Sequence, residues 1–505
     1  MTKESAEIKR LKALLAKKNE KEKAATAEIK KLKVSNKAKT ESSKKWKDKY
    51  MGVEKGEQGQ GCRAQKKTSF ESGHGGGVVR LAFTPVKGHS FWAEVIALAV
   101  CMYIRMGCGF RSIVNGLELF NDFLGGALGV IPSHQTIENW LLKAGIVEYL
   151  DSCNKFRGKE YSIIIDESIT VGSQKLLVIL AAPAQHEGET LKHGDVEVLA
   201  MAVSSSWKAE DVEREIIKLK DEIGSVPKYI VSDNGHNLRK GAELAGVPRH
   251  RDISHTIGLI LEEEYNERTD FKEFMDTMNK KRLSYQLTAN AYLLPPKLRT
   301  ISRFMNMSKW VEWAWAILQV YDNFGESHKA AYKFVLDYKE LITELHHVME
   351  TVDVVFTKAK KEGLSHTSAK YCKDYIWINL LRKDGIAEGC KRVGRAIRRY
   401  INDESVLIKS KDECHNITSD IIESTFGIYK SIQPKNKHCG ITPIVLALPL
   451  YGKVTDSEKR RKIDFKEKME CVRMADIKDW KEMTLLDNWQ VRRMLDLKSK
   501  KRKTA

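Results

Sequence analysis

The chain has 505 residues, too many for one ordinary domain, so about two to four are expected. Hydrophobic residues make up 42%, enough for real cores, which excludes a disordered protein. A formal net charge of +19 favours a polyanionic partner, and nine scattered cysteines without a CxxC pair exclude a disulfide scaffold and imply a reducing compartment.

The charge is unevenly placed. Residues 1–50 hold 17 Lys/Arg against 7 Asp/Glu and residues 451–505 hold 17 against 10, leaving the long middle near neutral. Two basic arms flanking a globular body suit a phosphate backbone better than solvent alone. Ile8, Leu11, Leu15, Ala25, Ile29 and Leu32 keep a heptad rhythm, interrupted by Lys18 and Glu22, so residues 1–47 read as a short coiled-coil arm or a solvated helix. Residues 48–78 are a glycine-rich linker. The sequence reads as having no signal peptide, and the most apolar stretch, Ala93 to Ile104, is too short to span a bilayer, so a protein free of the membrane is expected.

Residues 79–157 read as helical. "GCGFRSIVNGLELF" and "IPSHQTIENWLLKAGI" are two helix entries, with Ser133 as N-cap of the second. That helix would present His134, Gln135, Glu138 and Asn139, a helix-turn-helix pattern for DNA reading, although simple packing explains the same residues. From Tyr161 the pattern changes. "YSIIID", "KLLVILAAP" and "VEVLAMAVSS" are strands, "AEDVEREIIKLKDEIG" is an amphipathic helix, and "KYIVSDN" is a further strand. A mixed α/β sheet over residues 158–265 follows. Residues 266–415 are helical throughout, an all-α insertion, and "TSDIIESTFGIYKSI" opens a return segment at 416–450 before the basic region 451–505.

Three acids stand out: Asp166 and Asp233, each read at the end of a buried strand, and Glu423 in the late helix. Acids at the ends of adjacent strands converge at one sheet edge. A few carboxylates there suit Mg²⁺, a hard cation, and two such ions support phosphoryl transfer. Each acid also has a plainer reading: Asp166 in a turn, Asp233 in a turn with Asn234-Gly235, and Asp420-x-x-Glu423 as a capping box. Glu167 faces away from Asp166 by strand alternation and is read as structural. Trp310, Trp313 and Trp315 are core residues or a base-stacking platform. Arg299 and Arg303 are candidate phosphate contacts. Cys414-His415 facing His438-Cys439 is a weak zinc candidate, because its spacing matches no common zinc pattern.

"IIIDES", "IVSDNG", "RHRDISH" and "DIIESTFGIYK" together resemble the acid motifs of the DDE transposases of bacterial insertion sequences, over roughly residues 80 to 450. The resemblance implies an RNase H-like catalytic fold interrupted by the all-α insertion, with Asp166, Asp233 and Glu423 as a triad for Mg²⁺, Mn²⁺ substituting. Asp252-x-x-His255 is similar to a motif of several transposase superfamilies, which implies a place for His255 beside the scissile phosphate. Lys430, two helical turns after Glu423 on the same face, is implied as a DNA contact. The expected activity is cleavage of mobile-element ends and joining of their 3′-hydroxyls to target DNA. The implied partner is double-stranded DNA, bound by a homodimer or higher homo-oligomer, in a cytoplasmic, nucleoid-associated protein with no membrane contact. Three other readings stay open: a metal-dependent nuclease of the same fold, a domesticated transposase-derived DNA-binding protein, and a coiled-coil scaffold. The lysine-rich arm and its glycine linker depart from the family pattern.

Overall fold

The computed structural model of the chain describes residues 83–171, 174–186, 188–297, 304, 307–432, 440–487, 493, 494 and 497. The coiled-coil arm, the glycine linker, Arg299, Arg303, His438 and Cys439 lie outside the described residues.

Helices α1 (Ala93–Met106), α2 (Phe110–Phe123) and α3 (His134–Asp151) come first. Ser133 caps α3 by accepting from the Thr136 amide at 3.2 Å, as the Pro-Ser start predicts. The connection from Leu124 to Ser133 is longer than the roughly three- or four-residue turn of helix-turn-helix units. Beyond its first turn α3 is enclosed, with Ile137, Trp140, Leu141, Ala144 and Ile146 all buried.

The strands β1 (Tyr161–Val171), β2 (Gln174–Pro183) and β3 (Glu197–Ser204) form an antiparallel meander. Helix α4 (Ala209–Ile223) leads to β4 (Ile230–Ser232), and α5 (His236–Leu244) leads to β5 (Arg249–Arg251). β4 runs parallel to β1 and β5 parallel to β4, giving the order β3-β2-β1-β4-β5. This is the mixed sheet that the apolar runs predict. β5, "RHR", has no apolar alternation and lies directly before Asp252.

Alternation divides the sheet between two cores. Ile163, Ile165, Leu177, Ile179 and Ile230 pack under Val212 and Ile216 of α4 and Leu238 of α5. Ile164, Val178, Leu180 and Val231 face the opposite way, against α3 and the later helices. Helix α6 (Ile253–Tyr265) then leaves the sheet and enters an all-α body. Its helices are α7 (Thr269–Tyr285), α8 (Met307–Val320), α9 (Glu326–Tyr332), α10 (Phe334–Asp337), α11 (Lys339–Glu362), α12 (His366–Ile376) and α13 (Glu388–Ser405). This body has its own core, in which Trp310 is buried against Phe271 and Phe274. Trp315 stacks on His346 with centroids 4.1 Å apart and Trp313 meets Tyr332 edge-on, so the three tryptophans serve packing.

The chain returns through α14 (Asp420–Ile432), whose Ile422, Phe426 and Tyr429 lie in the same core as Ile164 and Val231. Helices α15 (Ala447–Thr455), α16 (Ser457–Arg461), α17 (Phe465–Cys471) and α18 (Met474–Thr484) follow. Leu448, Leu450, Phe465, Met469 and Trp480 join that core, so the segment read as a basic C-terminal region contributes buried structure through residue 484. Helix α3 shares this core as well, which packs the expected DNA-binding segment against the sheet.

Candidate active site

Ile164 pairs with Val231 across the parallel strands β1 and β4. Two residues further on, still on the same face, stand Asp166 and Asp233, on strands about 4.8 Å apart. The placement of Asp166 differs from the sequence expectation. It lies within β1, which runs on to Val171 after a register shift between Asp166 and Ile169. What ends there is the neighbour β4, and its end opens the space that Asp166 faces. Glu167 points to the other side, where its carboxylate accepts from Asn237 and pairs with Lys175, both at 3.4 Å. Its structural reading holds.

The carboxyl of Asp166 is raised to about 7, first by burial and next by the charge of Asp233; His255 and Glu423 also act on it, in opposite senses. All four groups therefore share one electrostatic neighbourhood. Asp233 also makes the turn that its plainer reading foresaw, its Oδ1 accepting from the Gly235 amide at 2.9 Å. The turn is held by Arg249, which donates to the Asp233 carbonyl at 2.8 Å, and by Asn234, which donates to Thr256 at 3.2 Å.

Asp252, fully buried, joins the sheet to the return helix. It caps α6 by accepting from the His255 amide at 2.7 Å. Its second oxygen accepts from the Ser419 amide at 2.6 Å and the Ser419 hydroxyl at 2.9 Å, at the start of α14. One side chain thus sets both helices that carry the remaining groups. His255 Nε2 then donates to Glu423 Oε1 at 2.8 Å. That bond is the largest cause raising the imidazole to about 9, so His255 is a cation at neutral pH. Glu423 does not form a capping box with Asp420. The Asp420 carboxylate pairs instead with Lys360 of α11 at 2.7 Å. Lys430 is exposed on α14, and His134 and Gln135 are exposed at the start of α3, where Gln135 bonds Glu138 and Asn139.

A second polar group was not legible in the sequence. Buried His250 bonds Glu404 of α13 and His415 of the return segment, each at 2.9 Å, while Arg251 donates to Glu404 at 2.6 Å. Burial, then His250, pushes the His415 imidazole down to about 4. The group ties the sheet edge to the all-α body. Cys414 donates to the Glu362 carbonyl at 2.9 Å, so Cys414 and His415 serve different partners.

Among the described residues, no three His, Cys, Asp or Glu side chains are grouped closely enough to hold a metal ion. Glu423 is turned to His255. The chemistry of the donors still suits a hard cation. Asp166 and Asp233 are two carboxylates on one face of neighbouring chain segments; burial, and then the charge of Asp233, disfavours ionisation of Asp166, a cost that a bound divalent ion would offset.

No family model matches the chain, and no curated protein matches it. Among solved structures the chain is similar to the Drosophila P element transposase strand transfer complex, with 12% identity and a TM-score of 0.37, over 74% of this chain and 94% of that chain. That score is too low to carry an argument about fold or function. No helix among the described residues is long and apolar enough to cross a membrane.

Proposed function

We propose that the chain is a DDE-type DNA transposase with an RNase H-like catalytic sheet, which cleaves mobile-element ends and joins their 3′-hydroxyls to target DNA. One observation carries the reading. Asp166 and Asp233 share one face of two adjacent parallel strands, and α14 brings Glu423 and its His255 partner to that face. Asp233 makes its turn as well, yet its charge still acts on Asp166. The strand order and the all-α body between Asp233 and Glu423 support the same reading, as do the four spaced acid motifs.

Asp166, Asp233 and Glu423 would hold Mg²⁺, with Mn²⁺ substituting, which when bound supplies an activated attacking oxygen and stabilises the leaving oxygen. The rest falls to the chain's own groups. To serve as a ligand, Asp166 would release its proton to solvent. Glu423 would have to leave His255 for the aspartates, and the freed imidazolium would then be available to bind a phosphate oxygen of the DNA. Asp252 keeps α6 and α14 in register during that exchange. Lys430 holds the backbone further along α14. The test is to incubate the purified chain with candidate element ends and Mg²⁺ and size the products. Joined products are expected. Cut but unjoined DNA would make it a nuclease, and end binding without cutting would make it a DNA-binding derivative. Asp166→Asn, Asp233→Asn and Glu423→Gln should each abolish cleavage with end binding kept, and normal strand transfer by any of them removes that residue from the site.

A further inference from the structure

The near-neutral middle of the chain hides a local surplus. Residues 366–405 hold nine Lys/Arg against five Asp/Glu. They form α12, a π-helical turn (Trp377–Arg382) and α13, and the π turn presses on α13 because residue 394 is glycine. A Cβ there would stand 3.0 Å from Leu380 Cβ and 3.3 Å from Ile376 Cγ2. α13 buries Val393, Ile397 and Tyr400 on one side. On the other, Lys391, Arg395, Arg398 and Arg399 recur three or four residues apart as a stripe.

A large aromatic lies beside that stripe. Trp377 is 47% exposed, and the Arg398 guanidinium lies over its ring at 5.2 Å. The Arg398 Nε is buried without a hydrogen-bond partner. Lys391 and Arg395 share the single Glu388, whereas Lys370, Arg398 and Arg399 have no ion pair among the described residues. Exposed Asp374 shares the α12 face with Lys370, whereas α13 between Glu388 and Asp403 carries bases without an acid.

The position of the stripe also matters. α13 runs antiparallel beside α6, with Arg392 on Glu264 at one end and Arg251 on Glu404 at the other. The α6 end near Glu404 is the one that carries His255. The Arg399 end of the stripe therefore lies toward the end of α6 that carries His255, and the Lys391 end lies away from it.

We propose that this surface, Lys370, Trp377, Lys391, Arg395, Arg398 and Arg399, binds the phosphodiester backbone of DNA leading away from the active site. That DNA is the substrate rests on the function proposed above. The test measures binding by the full chain in metal-free buffer across a salt series, to a duplex and to its single strand. The triple variant Lys370→Gln/Arg395→Gln/Arg399→Gln should weaken binding to all sequences alike and lower the duplex salt slope by about 2 to 3, at about 0.9 for each phosphate that is no longer neutralised. Trp377→Ala should leave the slope in place; an affinity loss of about tenfold confined to the single strand would show base stacking there, and a loss on both would show that the indole packs against the backbone. A triple variant with the parent's melting temperature, affinity and slope overturns the proposal. So does one that binds DNA normally but loses self-association, which would assign the surface to protein. Cleavage is scored separately: a chain that never cuts DNA but shows the slope change sinks the enzyme reading and leaves this surface standing.

Discussion

Replacing Asp166 by Asn keeps the shape of the side chain and removes its charge. Burial, and Asp233 after it, raise the Asp166 carboxyl from its ordinary 3.8 to about 7. A carboxyl raised by folding binds its proton more tightly in the folded state, so between about pH 4 and 7 the folded chain holds more protons than the unfolded one. Its contribution to stability therefore falls as pH rises through that window and is level above it. The span corresponds to roughly 4 kcal/mol, carried by the region around β1 and β4. Metal-free Asp166→Asn should match the parent near pH 4 and exceed it by up to roughly 4 kcal/mol near pH 8. A chain with two separate cores does not unfold in one step, so native-state hydrogen exchange at the Ile163 to Ile165 amides is the suitable assay. Mn²⁺ should then stabilise the parent and not the variant. An equal gain at both pH values, or none near the upper one, refutes the reasoning, because Asp166 would not be a strained carboxyl facing Asp233.

Glu423→Gln should return the His255 imidazole from about 9 toward its ordinary 6.5, followed by its ring proton resonances; a value that stays high would mean that Glu423 is not its main partner. The contribution of the His255 imidazolium to its pair with Glu423 is lost as pH rises through about 9, so the α6–α14 contact should loosen in alkali. Asp252→Ala strands buried donors on both helices at about 1–3 kcal/mol each, and denaturation should show a loss of several kcal/mol together with loss of activity; a stable, active variant would remove Asp252 as the junction. Lys430→Ala should weaken end binding while Mn²⁺ affinity stays at the parent's value, as read by calorimetry. Deleting residues 1–50 should weaken DNA binding and flatten its salt dependence; an unchanged slope would leave assembly as the better use for that arm.

Local chemistry alone determined a good part of this molecule. The β1 to β4 runs were legible because buried strands need continuous apolar side chains, and Ser133 because a helix start needs an acceptor for its free amides. Asp166 and Asp233 stood out because a carboxylate directly after three buried isoleucines, or after "IVS", has no cheap place in a core, whereas Glu423 stood out through the resemblance of "DIIESTFGIYK". Other features depended on partners far away in the chain. β5 is short and polar, held by β4, by Glu404 and Tyr400 of α13 and by His415 of the return segment. Whether Asp420-x-x-Glu423 formed a capping box was open in the sequence; in the fold Asp420 pairs with Lys360 and Glu423 with His255. The expected DNA-reading helix at 134–151 was enclosed by α15 and α17, which come some three hundred residues later. The basic stripe of α13 vanished into a neutral average until folding set Trp377 and Arg398 together. Short-range rules govern the backbone and the hydrophobic pattern. Charges and hydrogen bonds between distant segments acquire meaning only when packing has brought them within a few ångströms.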